Sequence, residues 1–174
     1  MIKQLKKSVV WLTKAEIAYA TDAGILRNIE NRKAGKISDV IGSSLKSDIQ
    51  GARAEYAASQ YFRLPWTGRF MSNDEWIHWK DRNGHDVGPL EVRSTTYKNG
   101  HLPMFRTDSD TAPYVLAIVH SMEKYEFVGW NYGKYGKMPE FWDDPGGHGR
   151  PYYCVPRFIL RPIFELEMVL GGIR

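Results

Sequence analysis

Ten consecutive residues of this chain combine a tight bend with the start of a strand: Asp86-Val87-Gly88-Pro89-Leu90-Glu91-Val92-Arg93-Ser94-Thr95. The Gly88-Pro89 pair is typical of a turn, and the residues after it predict an extended strand. Because side chains alternate along a strand, we expect Glu91 and Arg93 on one face. The bend can bring the Asp86 carboxylate beside that of Glu91. Two adjacent carboxylates repel each other unless they share a cation, and such oxygen ligands suit Mg²⁺ or Mn²⁺.

A second interpretation of the same stretch needs no metal. Glu91 and Arg93 can form an ordinary ion pair on one face of the strand, while Asp86 caps the turn. The segment by itself leaves both interpretations open.

Helices are predicted on the amino-terminal side of this stretch. Thr13 and Glu16 have the spacing of a capping box, and apolar residues recur at helical spacing as far as Gly35. These signals predict a helix over 14–35. A further helix is predicted over about 38–62, where a slim alanine-rich face would let it lie close against a sheet.

Strands dominate the remainder of the chain. Alternating or continuously apolar runs predict strands over 75–79, 90–96, 102–106, 114–119 and 126–130. The 114–119 run is apolar throughout, as expected for a strand buried on both faces. Pro162 opens a last predicted helix. This order of elements predicts an α+β fold (α/β/α-like), with a central mixed sheet of four to five strands flanked by amino-terminal helices and a carboxyl-terminal helix.

Composition limits the class of protein. The chain has 174 residues, a length that predicts one domain over 1–174, and the order of elements places its core over about 38–130 and a carboxyl-terminal extension over 131–174. The formal net charge of +4 permits a polyanionic partner but does not by itself establish one. A hydrophobic fraction of 43% excludes a disordered chain. No apolar run is long enough to span a bilayer, and no apolar segment typical of a signal peptide follows the basic start. Because of this, we expect no membrane partner. The single cysteine, Cys154, excludes an internal disulfide, so we expect a reducing, cytoplasmic location.

The motifs resemble a known superfamily. Asp86, Glu91 and Arg93 look like the Asp…Glu-x-Lys signature of the PD-(D/E)xK nuclease-like superfamily, with arginine in place of the lysine. The predicted helix around 51–58 resembles the first motif of that superfamily, in which a helix supplies a glutamate, here Glu55. The strands over 114–119 and 126–130 match the layout of many small phage-encoded members. The resemblance covers roughly 45–130.

The resemblance implies a restriction-endonuclease-like fold and metal-dependent hydrolysis of nucleic-acid phosphodiesters. Asp86 and Glu91 would bind Mg²⁺ or Mn²⁺, with the Val92 carbonyl as a further ligand. Glu55 would contribute directly or through a water molecule. These residues and Arg93 form the expected catalytic set, and the host would be a bacterium, or an infected cell if the gene is phage-encoded.

Arg93 departs from the signature in a way that bears on activity. A lysine can lose its proton and assist a water nucleophile, whereas an arginine stays protonated. Either the metal alone activates the water, or the chain is a catalytically inactive module that binds nucleic acid or a protein partner. A small interaction protein with a merely ion-paired strand is the more remote third hypothesis.

Basic residues near the predicted site suggest where nucleic acid would bind: Arg63, Arg69, Lys80 and Lys98. DNA is favoured over RNA as the partner, and a homodimer is left open. His85 is interpreted as an exposed turn residue, with a role beside the site as the alternative. Asp108 is interpreted as a loop residue without a function of its own.

Overall fold

The computed structural model describes residues 8–35, 44–66, 74–75, 78 and 84–171. Three helices of more than one turn and seven strands lie in this part of the chain, together with one four-residue helix. The helices are α1 (Lys14–Lys33), α2 (Ser44–Phe62), α3 (Gly133–Gly136) and α4 (Ile163–Gly171). The strands are β1 (Val9–Trp11), β2 (Glu91–Thr95), β3 (Leu102–Met104), β4 (Pro113–Val119), β5 (Lys124–Tyr132), β6 (Trp142–Asp143) and β7 (Tyr152–Val155).

Two sheets organise the strands. The larger sheet has the order β1-β5-β4-β2, in which β5 is antiparallel to both of its neighbours and β2 is parallel to β4. The smaller sheet has the order β3-β7-β6 and is antiparallel. The predicted α+β class and central mixed sheet of four to five strands are therefore confirmed, with four strands observed, whereas the second sheet was not anticipated.

The two faces of the larger sheet bury separate cores. One core joins α2 and α4 to residues such as Val115, Phe127 and Trp130 on β4 and β5. The other joins the opposite face of β4, including Tyr114 and Leu116, to the smaller sheet. A sheet, not a helix, therefore covers this second face. Because both faces of β4 are covered, its unbroken apolar sequence is explained.

The predicted capping box at the start of α1 is confirmed. The Glu16 amide donates to Thr13 Oγ1 at 3.3 Å, and Glu16 Oε2 accepts from the Thr13 amide at 2.7 Å. Gly35 adopts a left-handed φ of +69° just beyond the helix end. The expected start of the second helix near residue 38 lies outside the described residues.

The strand predicted over 75–79 is wrong where it can be compared. Glu75 and His78 are helical, and the His78 ring nitrogen Nδ1 lies 2.7 Å from the Asp74 carbonyl one turn earlier. Alternation of polar and aromatic residues there does not reflect a strand.

In the described part of the chain, no helix is both long and apolar enough to cross a membrane.

Candidate functional site

A cavity of about 880 Å³ lies at the amino ends of β2 and β4, bounded on one side by α1 and α2. It brings together the carboxylates predicted at Glu55, Asp86 and Glu91, and Arg93 also lines it. The remaining lining residues are Arg27, Gly84, His85, Val92, Thr107, Asp108, Ser109, Thr111 and Tyr114. Residues that are far apart in the chain therefore meet in one place.

Helix α2 presents Glu55 to this cavity. All four of its alanines (Ala52, Ala54, Ala57 and Ala58) are fully buried, and the last three belong to the core that includes the sheet. Glu55 itself is only 4% exposed and is held by two neighbours. Arg27 from α1 donates to its two oxygens at 2.8 and 2.7 Å, and the Trp66 indole donates to Oε2 at 3.1 Å.

The predicted Gly-Pro bend returns Asp86 to the start of β2. Val87 and Leu90 exchange two backbone hydrogen bonds across the bend, at 3.1 and 2.8 Å. Gly88 lies at its tip with a φ of +54°, a value that favours glycine. As a result, Asp86 Oδ2 accepts a hydrogen bond of 3.0 Å from the Val92 amide.

Glu91 is the first residue of β2 and is 6% exposed. Its Oε1 lies 3.0 Å from His85 Nδ1, and its Oε2 lies 3.6 Å from Arg93 Nη1. His85 is therefore not the exposed turn residue that we expected, because it lines the cavity and contacts a predicted metal ligand.

Arg93 is fixed between two carboxylates. Its Nη2 donates to Asp108 at 3.1 Å, and its guanidinium lies 5.1 Å from the centre of the Tyr114 ring. Burial would lower the pKa of Arg93, but Asp108, Asp86 and Glu91 outweigh it and raise that pKa above its ordinary value. Its Nε is buried and has no hydrogen-bond partner among the residues that the structure describes. Arg93 therefore acts as a permanent cation and cannot serve as a base.

The charge distribution disfavours ionised Asp86. Burial, followed by the neighbouring charges of Glu55 and Glu91, raises the pKa of Asp86 well above its ordinary range. The Val92 amide and Arg93 oppose this shift and do not overcome it. A cation placed among the three carboxylates would reverse the penalty.

The cavity suits a divalent cation in charge and in ligand type. With all four carboxyl groups ionised (Glu55, Asp86, Glu91 and Asp108) and His85 neutral, these acids and the two guanidinium groups of Arg27 and Arg93 give the cavity a formal charge of −2. Carboxylate oxygens are the ligands that Mg²⁺ and Mn²⁺ prefer. As they stand, however, no three His, Cys, Asp or Glu side chains among the described residues are arranged to hold one ion. Both Glu55 and Glu91 contact arginines instead.

The two described residues among the predicted nucleic-acid contacts lie outside the lining of this cavity. Arg63 is exposed just after α2, and Lys98 is exposed beyond the carboxyl end of β2, whereas Glu91 lies at its amino end. Neither of these two lines the cavity. Arg69 and Lys80 lie outside the described residues.

Sequence reasoning missed Arg27 and undervalued Asp108. Arg27 neighbours the small residues Ala23 and Gly24 of α1, whose pattern predicts a close helix neighbour but does not identify Glu55 as the partner. Asp108 caps its own loop, since its Oδ2 accepts from the Phe105 amide at 2.9 Å. The Asp-containing turn was visible in the sequence, but its contact with Arg93 depends on the tertiary fold.

Comparison with known proteins found no match to any family model, curated protein or solved structure. The resemblance to the PD-(D/E)xK superfamily therefore stays a prediction that rests on the residues quoted above.

Proposed function

We propose that this protein hydrolyses phosphodiester bonds of nucleic acid, as an endo- or exonuclease, with the help of Mg²⁺ or Mn²⁺. One observation carries the proposal: Glu55, Asp86 and Glu91 come from a helix, a bend and a strand, and all three line one cavity with Arg93. Such a grouping of buried carboxylates raises the free energy of the folded state unless a bound cation offsets their repulsion. Groups with strongly shifted pKa values of this kind are typical of functional sites. DNA is the preferred substrate in this proposal.

The roles follow from the position of each side chain. Asp86, Glu91 and Glu55 would hold the divalent ion, with Val92 beside them. The bound ion would supply water activation and stabilise negative charge on the phosphate. Arg93, which is always charged, offers hydrogen bonds to a phosphate oxygen and takes no proton. His85 holds Glu91 in place through the 3.0 Å contact.

The proposal also concerns the location of the protein in the cell. The sequence has one cysteine, which is in keeping with a reducing environment. The cytoplasm, of a bacterium or of an infected host cell, is where such an enzyme would meet its substrate.

Cleavage of DNA and RNA by Glu91→Gln tests the enzymatic proposal. With Mg²⁺ or Mn²⁺ present, we expect the natural protein to cleave and the variant to lose at least about a hundredfold in rate, because a charged ligand is lost. Glu126→Gln is the matched control, since Glu126 lies on β5 and pairs with His120 outside the cavity. Absence of cleavage by the natural protein with either metal and either nucleic acid would reject the enzyme.

A second candidate is a non-catalytic module that binds nucleic acid or a protein partner. It is favoured by the contacts of Arg27 with Glu55 and of Arg93 with Glu91, which partly neutralise the acids without a metal. In that case Glu91→Gln leaves binding unchanged. Affinity for nucleic acid would fall steeply with salt, whereas an affinity insensitive to salt would point to a protein partner.

A further inference from the structure

The ion pair between Arg27 and Glu55 occupies a carboxylate that the proposed metal site needs. The two guanidinium nitrogens of Arg27 contact the two oxygens of Glu55 at 2.8 and 2.7 Å. Trp66 donates a third hydrogen bond to Oε2 at 3.1 Å. Three of the roughly four acceptor positions of a carboxylate are therefore filled by protein donors.

The two partners differ in their access to solvent. The side chain of Glu55 is 6% exposed, whereas that of Arg27 is 28% exposed. Arg27 lines the same cavity, on the α1 side, opposite the strand that carries Glu91. A group that enters the cavity can therefore approach the Arg27 side chain from the cavity.

The chemistry of the guanidinium makes an exchange of partners reasonable. Its planar pair of N–H groups matches a phosphate as well as it matches a carboxylate. A phosphate that takes Arg27 leaves Glu55 with the Trp66 hydrogen bond as its one remaining contact of this kind among the described residues. Glu55 then has acceptor positions for a metal ion, and a divalent ion together with one phosphodiester brings the formal charge of the cavity from −2 to about −1.

We propose that Arg27 competes with the metal ion for Glu55 until a phosphate group of the nucleic acid takes its guanidinium. This inference rests on the proposed function, because it requires a metal held by Asp86, Glu91 and Glu55. It couples the binding of metal to that of nucleic acid, because Glu55 becomes available to the metal when a phosphate group holds Arg27. By linkage, each ligand raises the affinity for the other by the same factor.

Titration with Mn²⁺, followed by the electron paramagnetic resonance signal of the free ion, tests this competition. A short duplex with a phosphorothioate backbone serves as a nucleic-acid probe that resists cleavage. We expect the duplex to raise the Mn²⁺ affinity of the natural protein about tenfold, within the usual range of coupling between two sites. We expect Arg27→Gln to bind Mn²⁺ about tenfold more tightly without the duplex and to lose most of the further gain.

Two comparisons separate the contact from a general effect of charge. If Arg27 acts through Glu55, the double variant Arg27→Gln/Glu55→Gln binds Mn²⁺ no better than Glu55→Gln alone. Arg53→Gln removes a half-buried arginine that donates to Thr21 and does not line the cavity, so it should leave Mn²⁺ affinity unchanged.

The outcomes distinguish the two proposals. Unchanged or weaker Mn²⁺ binding by Arg27→Gln would overturn the competition, and weaker binding would make Arg27 a residue that positions Glu55. Lack of coupling in the natural protein would overturn it without recourse to any variant. If no Mn²⁺ binds with or without duplex, or if Glu91→Gln binds it normally, the proposed metal site itself fails.

Discussion

Arg93 stands where the resembled signature has a lysine, and its surroundings explain how an arginine fits there. Asp108 and Glu91 contact its terminal nitrogens, while the rings of Tyr114 and Phe105 lie 5.1 and 5.8 Å from its guanidinium carbon. A lysine could make neither the forked contact nor the stacking. Arg93 is therefore a built-in cation whose charge does not change with pH.

Asp86→Asn should stabilise the metal-free protein at pH 7. The folded state raises the pKa of Asp86. Its contribution to the free energy of unfolding is therefore fully present below the pKa of the group in the unfolded chain, and it is lost as the pH rises through the pKa in the folded protein. The amide oxygen of asparagine can still accept from the Val92 amide. We expect the free energy of unfolding in a chelating buffer to rise at pH 7, because asparagine replaces a buried carboxyl group whose ionisation the folded state disfavours.

The pH dependence of this gain provides its check. Urea unfolding at pH 7 and near pH 3 should show the gain only at the higher value, because Asp86 is neutral in both states at the lower one. Asp22→Asn, at an exposed position of α1, should change stability by less than about 0.5 kcal/mol. If Asp86→Asn were less stable than the natural protein at pH 7, the raised pKa of Asp86 would be refuted.

Arg63→Gly should separate stability from nucleic-acid binding. Arg63 has a φ of +55° at the end of α2, a left-handed conformation that costs a non-glycine residue about 1 kcal/mol. We therefore expect glycine to stabilise the fold by about that amount. If Arg63 contacts a phosphate, the same variant binds nucleic acid less tightly, and the slope of affinity against salt falls by about one.

Arg63→Lys is the control for charge, since it keeps the cation and the strained backbone. Unfolding in urea and binding isotherms at several salt concentrations measure the two effects separately. Stabilisation by glycine without any change in binding would remove Arg63 from the nucleic-acid surface.

The pair of helices α1 and α2 determines where Arg27 and Glu55 meet. Gly24 makes the close approach possible, because a Cβ at this position would lie 2.5 Å from the Ile49 Cα and 2.9 Å from the Asp48 carbonyl oxygen. One turn further along, the Asn28 amide donates to Asp48 at 2.9 Å. The two helices therefore pack with their backbones in contact, and the distance between them determines how Arg27 and Glu55 meet.

Gly24→Ala should destabilise the protein by about 1–3 kcal/mol, because the helices must move apart to admit the methyl group. Gly51→Ala is the matched control on α2, where the nearest atom outside the helix would be Arg27 Nη1 at 3.8 Å. There the methyl group fits, and alanine should stabilise the helix by about 0.5–1 kcal/mol. Thermal unfolding of both variants measures the difference, and equal effects would contradict the close contact.

Local signals predicted the elements better than their partners. The Thr13–Glu16 capping box and the apolar run of β4 identified a helix and a buried strand, because caps and periodicity depend on near neighbours. Pairing of β2 with β4, covering of β4 by the second sheet and the Arg93–Asp108 contact all depend on distant segments. The same distinction explains why Asp86 and Glu91 were found within one bend, while Arg27 was not.

At the level of the whole molecule, two cores share β4 as their common strand. Residues of one core attach α2 and α4, and residues of the other attach the smaller sheet. The candidate site lies where β2, at the edge of the larger sheet, meets α1 and α2. A loop that carries Asp108 closes the other side, and Lys137 anchors this loop through Asp110 at 2.6 Å.

The parallel pairing of β2 with β4 has a consequence for the folding pathway. Strands β4 and β5 are joined by a short turn, so their hairpin can form early, whereas β2 must close a much longer loop before it meets β4. Strand β2 carries Glu91 and Arg93, and the cavity also needs Arg27 and Glu55 from earlier in the chain. We therefore expect the cavity to form late in folding, so that partly folded chains would not bring Glu55, Asp86 and Glu91 together.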